Sequence, residues 1–283
     1  MTPPERREAA SFLVAEHALS VARSCRALKL SRAAYYKLSP PREERDAEVI
    51  QALNAVVESN SRWGFWKCFD RLRLDGQGWN HKRVLRVYRS MRLNLPRRTK
   101  KRLPTRERQT LEVAPRPNEV WSMDFMSDAL YRGRRFRVLT ILDEGVRELL
   151  DLVVDTSIPS GRLVRTMEQL KAWRGLPKAI RLDNGPELCA QAFVDWCRDH
   201  GVALRYIQPG KPNQNAYIER FNRTYRNEVL DVYLFDTLDQ VREISYGWLT
   251  TYNERRPHDS LGGIPPTQFR EQLAGHSSFE LST

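Results

Sequence analysis

Three carboxylates lie where a purely structural role is hard to assign. Asp124 interrupts the apolar, β-prone run VWSMDFM, Asp183 ends the run AIRL just before an Asn-Gly turn, and Glu219 lies early in a predicted helix. A buried carboxylate costs free energy unless it is paired or bound to a metal. Three carboxylates from separate elements are ligands that suit Mg²⁺ or Mn²⁺. Sites of this kind commonly carry phosphodiester chemistry.

Other acidic residues are close to these three in the sequence, and we expect them to be ordinary surface carboxylates. Asp143 and Glu144 fall in a predicted turn, where solvation is the default. Glu187 follows a turn proline and is placed to cap the next helix. The remaining two are Asp128 and Asp151.

The positive charge of the chain is concentrated in one region. The 283 residues are enough for one or two domains with a buried core, and the formal net charge is +12. Between Arg62 and Arg108 there are sixteen Lys and Arg against three Asp and Glu, a net of +13. This concentration favours contact with nucleic acid, because neutralised phosphates release counterions. A solvated basic linker is the alternative.

The cysteines and histidines show no pattern of a metal or disulfide site. Cys25, Cys68, Cys189 and Cys197 have no CxxC spacing, and there is neither a secretory signal nor a long apolar stretch. These features are typical of a reduced cytoplasmic protein without structural zinc and without a membrane partner. The five histidines are scattered, so none is expected to bind a metal.

Helical segments precede a sheet in the predicted order of elements. Residues 1–40 are typical of a helix-turn-helix-like segment, in which Ser31 can cap the second short helix; a plain helical hairpin is the alternative. Residues 42–95 are predicted to form a second helical DNA-binding segment, and residues 96–117 a basic linker. The basic residues expected to contact DNA in these two segments are Lys82, Arg83, Arg86, Arg89, Arg97, Arg98, Lys100 and Lys101.

The pattern changes at residue 118. Three strand-like runs at 119–127, 135–142 and 149–154 are followed by alternating helices and strands. This order predicts an α/β fold with a ribonuclease-H-like mixed sheet over residues 118–232, three antiparallel strands and then α/β units. Residues 233–283 are assigned to a C-terminal helix and tail.

A ribonuclease-H-like order explains how the three carboxylates could meet. Asp124 projects from the central first strand, Asp183 ends an adjacent strand, and the helix that carries Glu219 packs across both. That helix has an apolar stripe of Ile218, Phe221, Tyr225 and Val229, which would face the sheet. We expect a site for two divalent cations, with a polar stripe presented to DNA that consists of Glu219, Asn222, Arg223 and Arg226.

Several long motifs resemble one family of proteins. LDNGPEL, QPGKPNQNAYIERFNRTYRNEVL and YNERRPHDSLGGIPPTQF closely resemble the orfB-type DDE transposases of bacterial insertion sequences, in the insertion-sequence-three group. These enzymes share the catalytic core of retroviral integrases. Thirty-five residues separate the second and third acids, as that DDE pattern requires. The segments SVARSCRALKLSRAAYYK, GQGWNHKRVLRVYRSMRLN and RPNEVWSMDFM are also similar, so the resemblance covers nearly the whole chain.

The resemblance implies roles for individual residues and a set of partners. Asp124, Asp183 and Glu219 would be catalytic ligands of two Mg²⁺ or Mn²⁺ ions per site, and Arg226 would be the basic residue seven positions after the glutamate. Water would cleave the DNA at the element ends, and the freed 3′-hydroxyl would then attack new DNA. The implied partners are terminal inverted repeats, target DNA, further copies of the chain in a homodimer or larger oligomer, and the product of an upstream reading frame. The implied location is the bacterial cytoplasm, at the nucleoid.

The family pattern also assigns neighbours of the acids. Asn184 and Gly185 would shape the loop at the second acid. The segment that leads into the catalytic helix would contain Pro209, Gly210, Asn213 and Asn215.

Two other functions remain compatible with parts of the sequence. The chain could be a DNA-binding accessory or regulatory product of such an element, with no independent catalysis. A nuclease that cuts RNA in hybrids would share the fold and the metal ligands. It would leave the helix-turn-helix segments and the basic region unexplained.

Overall fold

The structure, a computed structural model, describes residues 1–37, 42–96, 116–208 and 215–280. The chain divides into two compact units, Met1–Gln51 and Ala52–Thr283, and the finer segment boundaries given above stay predictions. No helix in the described ranges has both the length and the apolar character needed to cross a membrane. The predicted DNA-contact or loop residues that lie outside the described ranges are Arg97, Arg98, Lys100, Lys101, Pro209, Gly210 and Asn213.

The first unit is helical. Its helices are α1 (Pro3–His17), α2 (Val21–Ala27) and α3 (Arg32–Tyr36), followed by the beginning of α4 (Arg42–Ser59). The two predicted short helices are confirmed as α2 and α3. Ser31 caps α3 as predicted, because its Oγ accepts a hydrogen bond from the backbone N–H of Ala34 at 3.1 Å.

The second unit begins with two further helices of the basic region. They are α5 (Phe65–Leu74) and α6 (His81–Ser90). Asn80 caps α6 by accepting a hydrogen bond from the N–H of Lys82 at 2.8 Å. The apolar side of α6 is buried at Val84, Val87 and Tyr88. The exposed basic residues of the helix lie on its opposite side.

A five-stranded mixed sheet forms the centre of the second unit. The strands are β1 (Val120–Ala129), β2 (Arg135–Asp143), β3 (Leu149–Asp155), β4 (Ala179–Leu182) and β5 (Ala203–Tyr206). They lie in the order β3-β2-β1-β4-β5. The pairs β1–β2 and β2–β3 are antiparallel, whereas β1–β4 and β4–β5 are parallel. The predicted ribonuclease-H-like fold class is confirmed, with β1 at the centre of the sheet.

Helices cover both faces of the sheet. The helices are α7 (Ser160–Arg174), α8 (Gln191–Asp199), α9 (Ala216–Tyr225), which continues as a π-helical turn (Arg226–Leu230), and α10 (Leu238–Glu254). Trp121 and Met123 of β1 belong to the core with α7 and α8. Met126 belongs to the core with α9 and α10. Since side chains alternate along a strand, Asp124 shares the α9 face with Ser122 and Met126.

The C-terminal segment is more than one helix and a tail. After α10 come a 3₁₀ turn (Asp259–Leu261) and a further helix, α11 (Pro266–Glu280), which the sequence analysis does not predict. The Gly-Gly and Pro-Pro pairs that lead into α11 are typical of a loop, but Pro266 lies at the first helical position, where proline is tolerated. At the end of α10, Asn253 holds edge strand β3 by two hydrogen bonds to the backbone of Leu149, at 2.8 and 2.9 Å.

Helix α5 contacts this C-terminal segment. Arg71 donates a hydrogen bond to the carbonyl oxygen of Arg255 at 3.3 Å, and the Lys67 ammonium lies 3.6 Å from a carboxylate oxygen of Asp259. Helix α5 and the sheet belong to the same compact unit.

The expectation of solvated carboxylates after β2 is wrong. Asp143 and Glu144 are both completely buried. Asp143 accepts hydrogen bonds from the backbone N–H groups of Asn118, at 2.8 Å, and Gly145, at 2.9 Å. The turn packs against neighbouring strands and α7, so arginines and backbone donors replace water around these charges.

Glu187 also differs from expectation. Its carboxylate pairs with Arg137 of β2, and α8 begins only at Gln191, with Ala190 as its N-cap residue. The hydrogen bond from Arg137 holds the pKa of Glu187 below its ordinary value. Glu187 therefore ties the loop after Asp183 to the sheet and does not cap the helix.

Candidate active site

Asp124 lies in the middle of the central strand, opposite Thr140 of β2. One carboxylate oxygen accepts a hydrogen bond from the backbone N–H of Phe125 at 2.7 Å. The other accepts one from the side-chain amide of Asn222 on α9 at 2.8 Å. The carboxylate is half-buried and oriented from both sides.

Asn222 links α9 to two strands. Its Oδ1 accepts a hydrogen bond from the hydroxyl of Thr140 at 2.9 Å, and its Nδ2 donates to Asp124. The Thr140 hydroxyl also lies 3.2 Å from the carbonyl oxygen of Asp124. Asn222 is only 8% exposed, which differs from the exposed position expected for it on the polar stripe. It lies on the inner edge of the helix and orients Asp124.

Asp183 follows the last residue of β4. The parallel register pairs Ser122 with Arg181, and two residues further along each strand this register brings Asp124 level with Asp183. Oδ1 of Asp183 accepts a hydrogen bond from the N–H of Gly185 at 3.0 Å. A Cβ atom on Gly185 would lie 3.0 Å from that same oxygen, so the glycine leaves room for the carboxylate.

A buried ion pair anchors the strand that ends at Asp183. Arg181 of β4 donates two hydrogen bonds to the carboxylate of Glu144, at 2.9 and 3.3 Å. The N–H of Glu144 also bonds to the carbonyl oxygen of Val120 at 3.0 Å. Both charges are largely removed from water. The loss of one partner would therefore destabilise the fold, because the other charge would stay buried without compensation. Glu144 thus fixes β4 relative to β1, and with it the position of Asp183.

Glu219 lies in the first turn of α9 and is exposed. The apolar side of this helix is buried as predicted, at Ile218, Phe221, Tyr225 and Val229. At the start of the helix, Asn215 is buried and its Oδ1 has no hydrogen-bond partner among the described residues.

The charges of the other two acids act on Asp124. Burial raises the pKa of Asp124 to about 6, and the negative charges of Asp183 and Glu219 add to this rise. The hydrogen bonds from Phe125 and Asn222 oppose it. The raised pKa means that the folded protein disfavours the charge on Asp124, which a cation in the site would stabilise.

Asp124, Asp183 and Glu219 do not form a preformed metal site among the described residues. Across residues 1–37, 42–96, 116–208 and 215–280, no group of three or more His, Cys, Asp or Glu side chains is close enough to hold a metal ion. The donor set of Asp124, Asp183 and Glu219 has the oxygen chemistry that Mg²⁺ and Mn²⁺ prefer. Joint ligation would require these carboxylates to approach one another.

The other predicted residues of α9 have different surroundings. Arg226 forms an ion pair with Asp128 of β1 at 2.9 Å and donates to the carbonyl oxygen of Ser127 at 3.0 Å. Its guanidinium is therefore directed to the strand in this structure. Arg223 is exposed.

The basic residues of α6 lie on its outer side. Lys82, Arg86 and Arg89 are exposed, and Arg83 is half-buried.

Sequence reasoning missed Thr140, Glu144 and Arg181 as residues that position the site. A sequence signal existed only for Thr140, a polar residue in the apolar run RFRVLTILD that lies opposite Asp124 once the strands are aligned. Glu144 gave no such signal, because its arginine partner is 37 residues away in the chain.

Comparison with known proteins identifies the family. Two integrase core domain families match the chain, one over residues 114–212 and the other over residues 200–266. The insertion element IS476 uncharacterized 39.2 kDa protein of Xanthomonas euvesicatoria is 39% identical over 95% of this chain and 78% of its own length. The putative transposase InsK for insertion sequence element IS150 of Escherichia coli is 23% identical over 87% of this chain and 92% of its own length.

A solved structure is similar to part of the chain. The HTLV-2 integrase catalytic core domain in complex with magnesium is 17% identical, with a TM-score of 0.43, over 56% of this chain and 99% of that one. Two findings decide the assignment. The integrase core domain families match residues 114–266 together, and the IS476 protein matches 95% of the chain. The chain belongs to the transposases of bacterial insertion sequences, with an integrase core of the retroviral type.

Proposed function

We propose that this chain cleaves DNA strands at the ends of an insertion sequence and joins them to target DNA. The observation that carries the proposal is the convergence on Asp124. It lies on the central strand, Asp183 ends the adjacent strand, Glu219 lies on the helix packed across them, and both charges act on the Asp124 carboxyl group. In a family that serves DNA transposition, such a group of acids is best explained as a site for phosphodiester chemistry.

The three acids would hold two divalent cations, Mg²⁺ or Mn²⁺. When bound, such ions activate the attacking oxygen and stabilise the leaving 3′-oxygen of the DNA strand. The protein itself supplies the orientation. Asn222 and Phe125 hold the two oxygens of Asp124, and Gly185 holds Asp183.

The same reaction type, transfer of a phosphoryl group between oxygens, would occur twice. First, water attacks the phosphorus at the element end, the bond to the 3′-oxygen breaks, and that oxygen leaves as a free 3′-hydroxyl. Second, this 3′-hydroxyl attacks a phosphorus of the target strand, loses its proton, and displaces the target's own 3′-oxygen. The first step consumes one water and converts one phosphodiester into a phosphomonoester and a 3′-hydroxyl, whose proton comes from that water. The second step exchanges one phosphodiester for another, and the displaced 3′-oxygen gains a proton in place of the one that the attacking hydroxyl lost.

DNA would be bound through the basic surface. Lys82, Arg83, Arg86 and Arg89 on α6 lie on the side opposite the buried stripe of that helix, where they can follow a phosphate backbone. Arg223 lies one turn after Glu219 on α9 and would reach DNA held at the acids. Arg226 would do so only by exchanging Asp128 for a phosphate.

The partners follow from the reaction. Transposition brings two element ends to one target, so we propose that the chain acts on terminal inverted repeats as a homodimer or larger oligomer. The product of an upstream reading frame is a further proposed partner. The proposed location is the bacterial cytoplasm, on the nucleoid.

A strand-transfer assay tests the catalytic proposal. Oligonucleotides with the element's end sequence are incubated with the full chain and Mg²⁺, and cleaved and joined products are separated by size. Asp124→Asn, Asp183→Asn and Glu219→Gln should each lose product formation, whereas Asp128→Asn, in the same strand as Asp124, should retain it. Equal activity of wild type and Asp124→Asn would refute the catalytic role.

A second candidate function is a DNA-binding accessory or regulatory protein without catalysis. The basic side of α6, which can bind a phosphate backbone without any chemistry at the three acids, favours it. This candidate predicts end binding by filter retention or gel shift with no Mg²⁺-dependent product at any enzyme concentration. Neutralising Arg83, Arg86 and Arg89 should weaken end binding under either function.

A further inference from the structure

A cavity of about 200 Å³ lies on the flank of α9, and none of the three acids lines it. By volume it could hold about seven water molecules. Its walls come from α5, from β2 and the turn after it, from α9, and from the end of α10 with the segment that follows. The residues that matter here are Lys67, Arg147, Arg220, Arg256 and His258.

The charge of this cavity is strongly positive. Four of its lining side chains are cationic, and the single lining carboxylate, Asp259, is 65% exposed. Arg256 is largely compensated, because Glu228 beside the cavity accepts its hydrogen bonds at 2.8 and 3.2 Å. For Arg220, no hydrogen bond or ion pair of the guanidinium is observed among the described residues. A surplus of cations in a concave site attracts anions.

Two buried nitrogen atoms of the lining lack partners. Nη1 of Arg147 is buried with no hydrogen-bond partner in the described part of the chain, while its guanidinium lies 3.7 Å from the centre of the Tyr217 ring. Nε2 of His258 is likewise buried and unpartnered among the described residues, and His258 as a whole is 9% exposed. Buried polar atoms normally have a hydrogen-bond partner, so each unpaired one calls for an explanation.

The backbone at Arg147 supports a positioned side chain. Its φ angle is 59°, in the left-handed region that non-glycine residues rarely adopt. The turn therefore holds an arginine in a conformation that glycine would adopt more easily, and the arginine lies against the cavity.

We propose that this cavity binds a phosphate group through Lys67, Arg147, Arg220 and Arg256, with His258 at its base. Guanidinium groups form paired hydrogen bonds with phosphate oxygens, and a phosphate would supply acceptors for the unpaired nitrogen of Arg147. The phosphate would belong either to a DNA backbone or to a free phosphate or nucleotide. The site is distinct from the three acids, so it stands or falls independently of the strand-transfer proposal.

His258 provides an internal probe of occupancy. The backbone of Tyr252 raises the pKa of the His258 ring. Burial and the nearby charges of Arg256, Lys67 and Arg220 hold its pKa well below the ordinary value. An anion in the cavity would offset these positive charges, so His258 would take up a proton more readily and its Nε2 could donate to the anion.

The first test is thermal unfolding of the full chain in inorganic phosphate, against sodium chloride of equal ionic strength. Phosphate should raise the Tm of the wild type beyond the chloride effect, because a ligand of the folded state stabilises it. Arg220→Gln should need about tenfold more phosphate for the same rise, since one charge-assisted contact is lost. Arg165→Gln is the matched control, an exposed arginine on α7. It should titrate like the wild type.

Two outcomes of this test would overturn the proposal. One is a wild-type Tm that phosphate raises no more than chloride. The other is an equal response of Arg220→Gln and Arg165→Gln.

NMR of the histidine rings adds a measurement on the unaltered protein, with the His258 signal assigned by His258→Gln. Phosphate at constant pH should shift that signal, and an unshifted signal would place the anion elsewhere.

A second test distinguishes the sources of the phosphate. The affinity of the full chain for duplex DNA is measured against salt concentration for the wild type, Arg220→Gln and Arg165→Gln. If a DNA phosphate occupies the cavity, the logarithmic salt slope of Arg220→Gln should be smaller by about one, with the control unchanged. An unchanged slope together with loss of the phosphate-dependent Tm rise identifies a free phosphate or nucleotide as the ligand.

Discussion

Replacing Asp124 by Asn should stabilise the metal-free protein at neutral pH. Burial, reinforced by the charges of Asp183 and Glu219, raises the pKa of Asp124 from its ordinary value of 3.8 to about 6. A carboxyl group with a raised pKa binds its proton more tightly in the folded state than in the unfolded state. Stability is therefore lost as the pH rises from about 4 to about 6, and the loss is complete above that range.

The size of the effect follows from the shift. A difference of roughly 2 pKa units, at 1.36 kcal/mol each, corresponds to about 3 kcal/mol at pH 7.5 and about 1 kcal/mol at pH 4.5. Asn has nearly the same shape as Asp and carries no charge. Its amide cannot accept from both Phe125 and Asn222 in their present orientation, so we expect a net gain of about 1–3 kcal/mol at pH 7.5.

Urea unfolding of the full chain with a metal chelator measures this gain. The free energy of unfolding is determined for the wild type, Asp124→Asn and Asp128→Asn at both pH values. Asp128→Asn is the control in the same strand. It loses the ion pair with Arg226 and should change stability by no more than about 1 kcal/mol. If Asp124→Asn is no more stable than the wild type at pH 7.5, or if its gain does not shrink at pH 4.5, the reasoning from burial and repulsion is refuted.

Three further changes test the residues that position the acids. Gly185→Ala would place a Cβ atom 3.0 Å from Oδ1 of Asp183, so we expect strand transfer to fall at least tenfold with little loss of secondary structure by circular dichroism. Glu144→Gln removes the charge that pairs with the buried Arg181 and should cost about 3–5 kcal/mol in urea unfolding. Thr140→Val removes the hydroxyl that donates a hydrogen bond to the side chain of Asn222, which orients Asp124. It should lower the initial rate of strand transfer about tenfold.

Each change has a matched control. Gly161→Ala on α7 meets no atom within 4 Å and should leave activity unchanged. Glu119→Gln removes an ion pair with the exposed Lys178 and should change stability by less than about 1 kcal/mol. Wild-type activity in Gly185→Ala, or equal costs for Glu144→Gln and Glu119→Gln, would contradict the roles given to Gly185 and Glu144. For Thr140→Val, an unchanged rate would show that Asn222 is oriented without it.

The helices and strands could be predicted because their signals are local. The apolar stripe of α9, the alternation along β1 and the Ser31 cap each depend on residues a few positions apart. The order of these elements was enough to predict the mixed sheet. Helix α11 was missed because its Gly and Pro residues are typical of loops, and only packing shows that Pro266 begins a helix.

The sequence by itself determined which acids to examine and which element carries each of them. Only the tertiary structure decided the partners of the charged and polar side chains. Asn222 and Asp124 are 98 residues apart in the chain, and the cationic cavity combines side chains from Lys67 to His258. Whether such a group is solvated or buried depends on which distant surface packs on it. Periodicity along the chain carries no information about that surface.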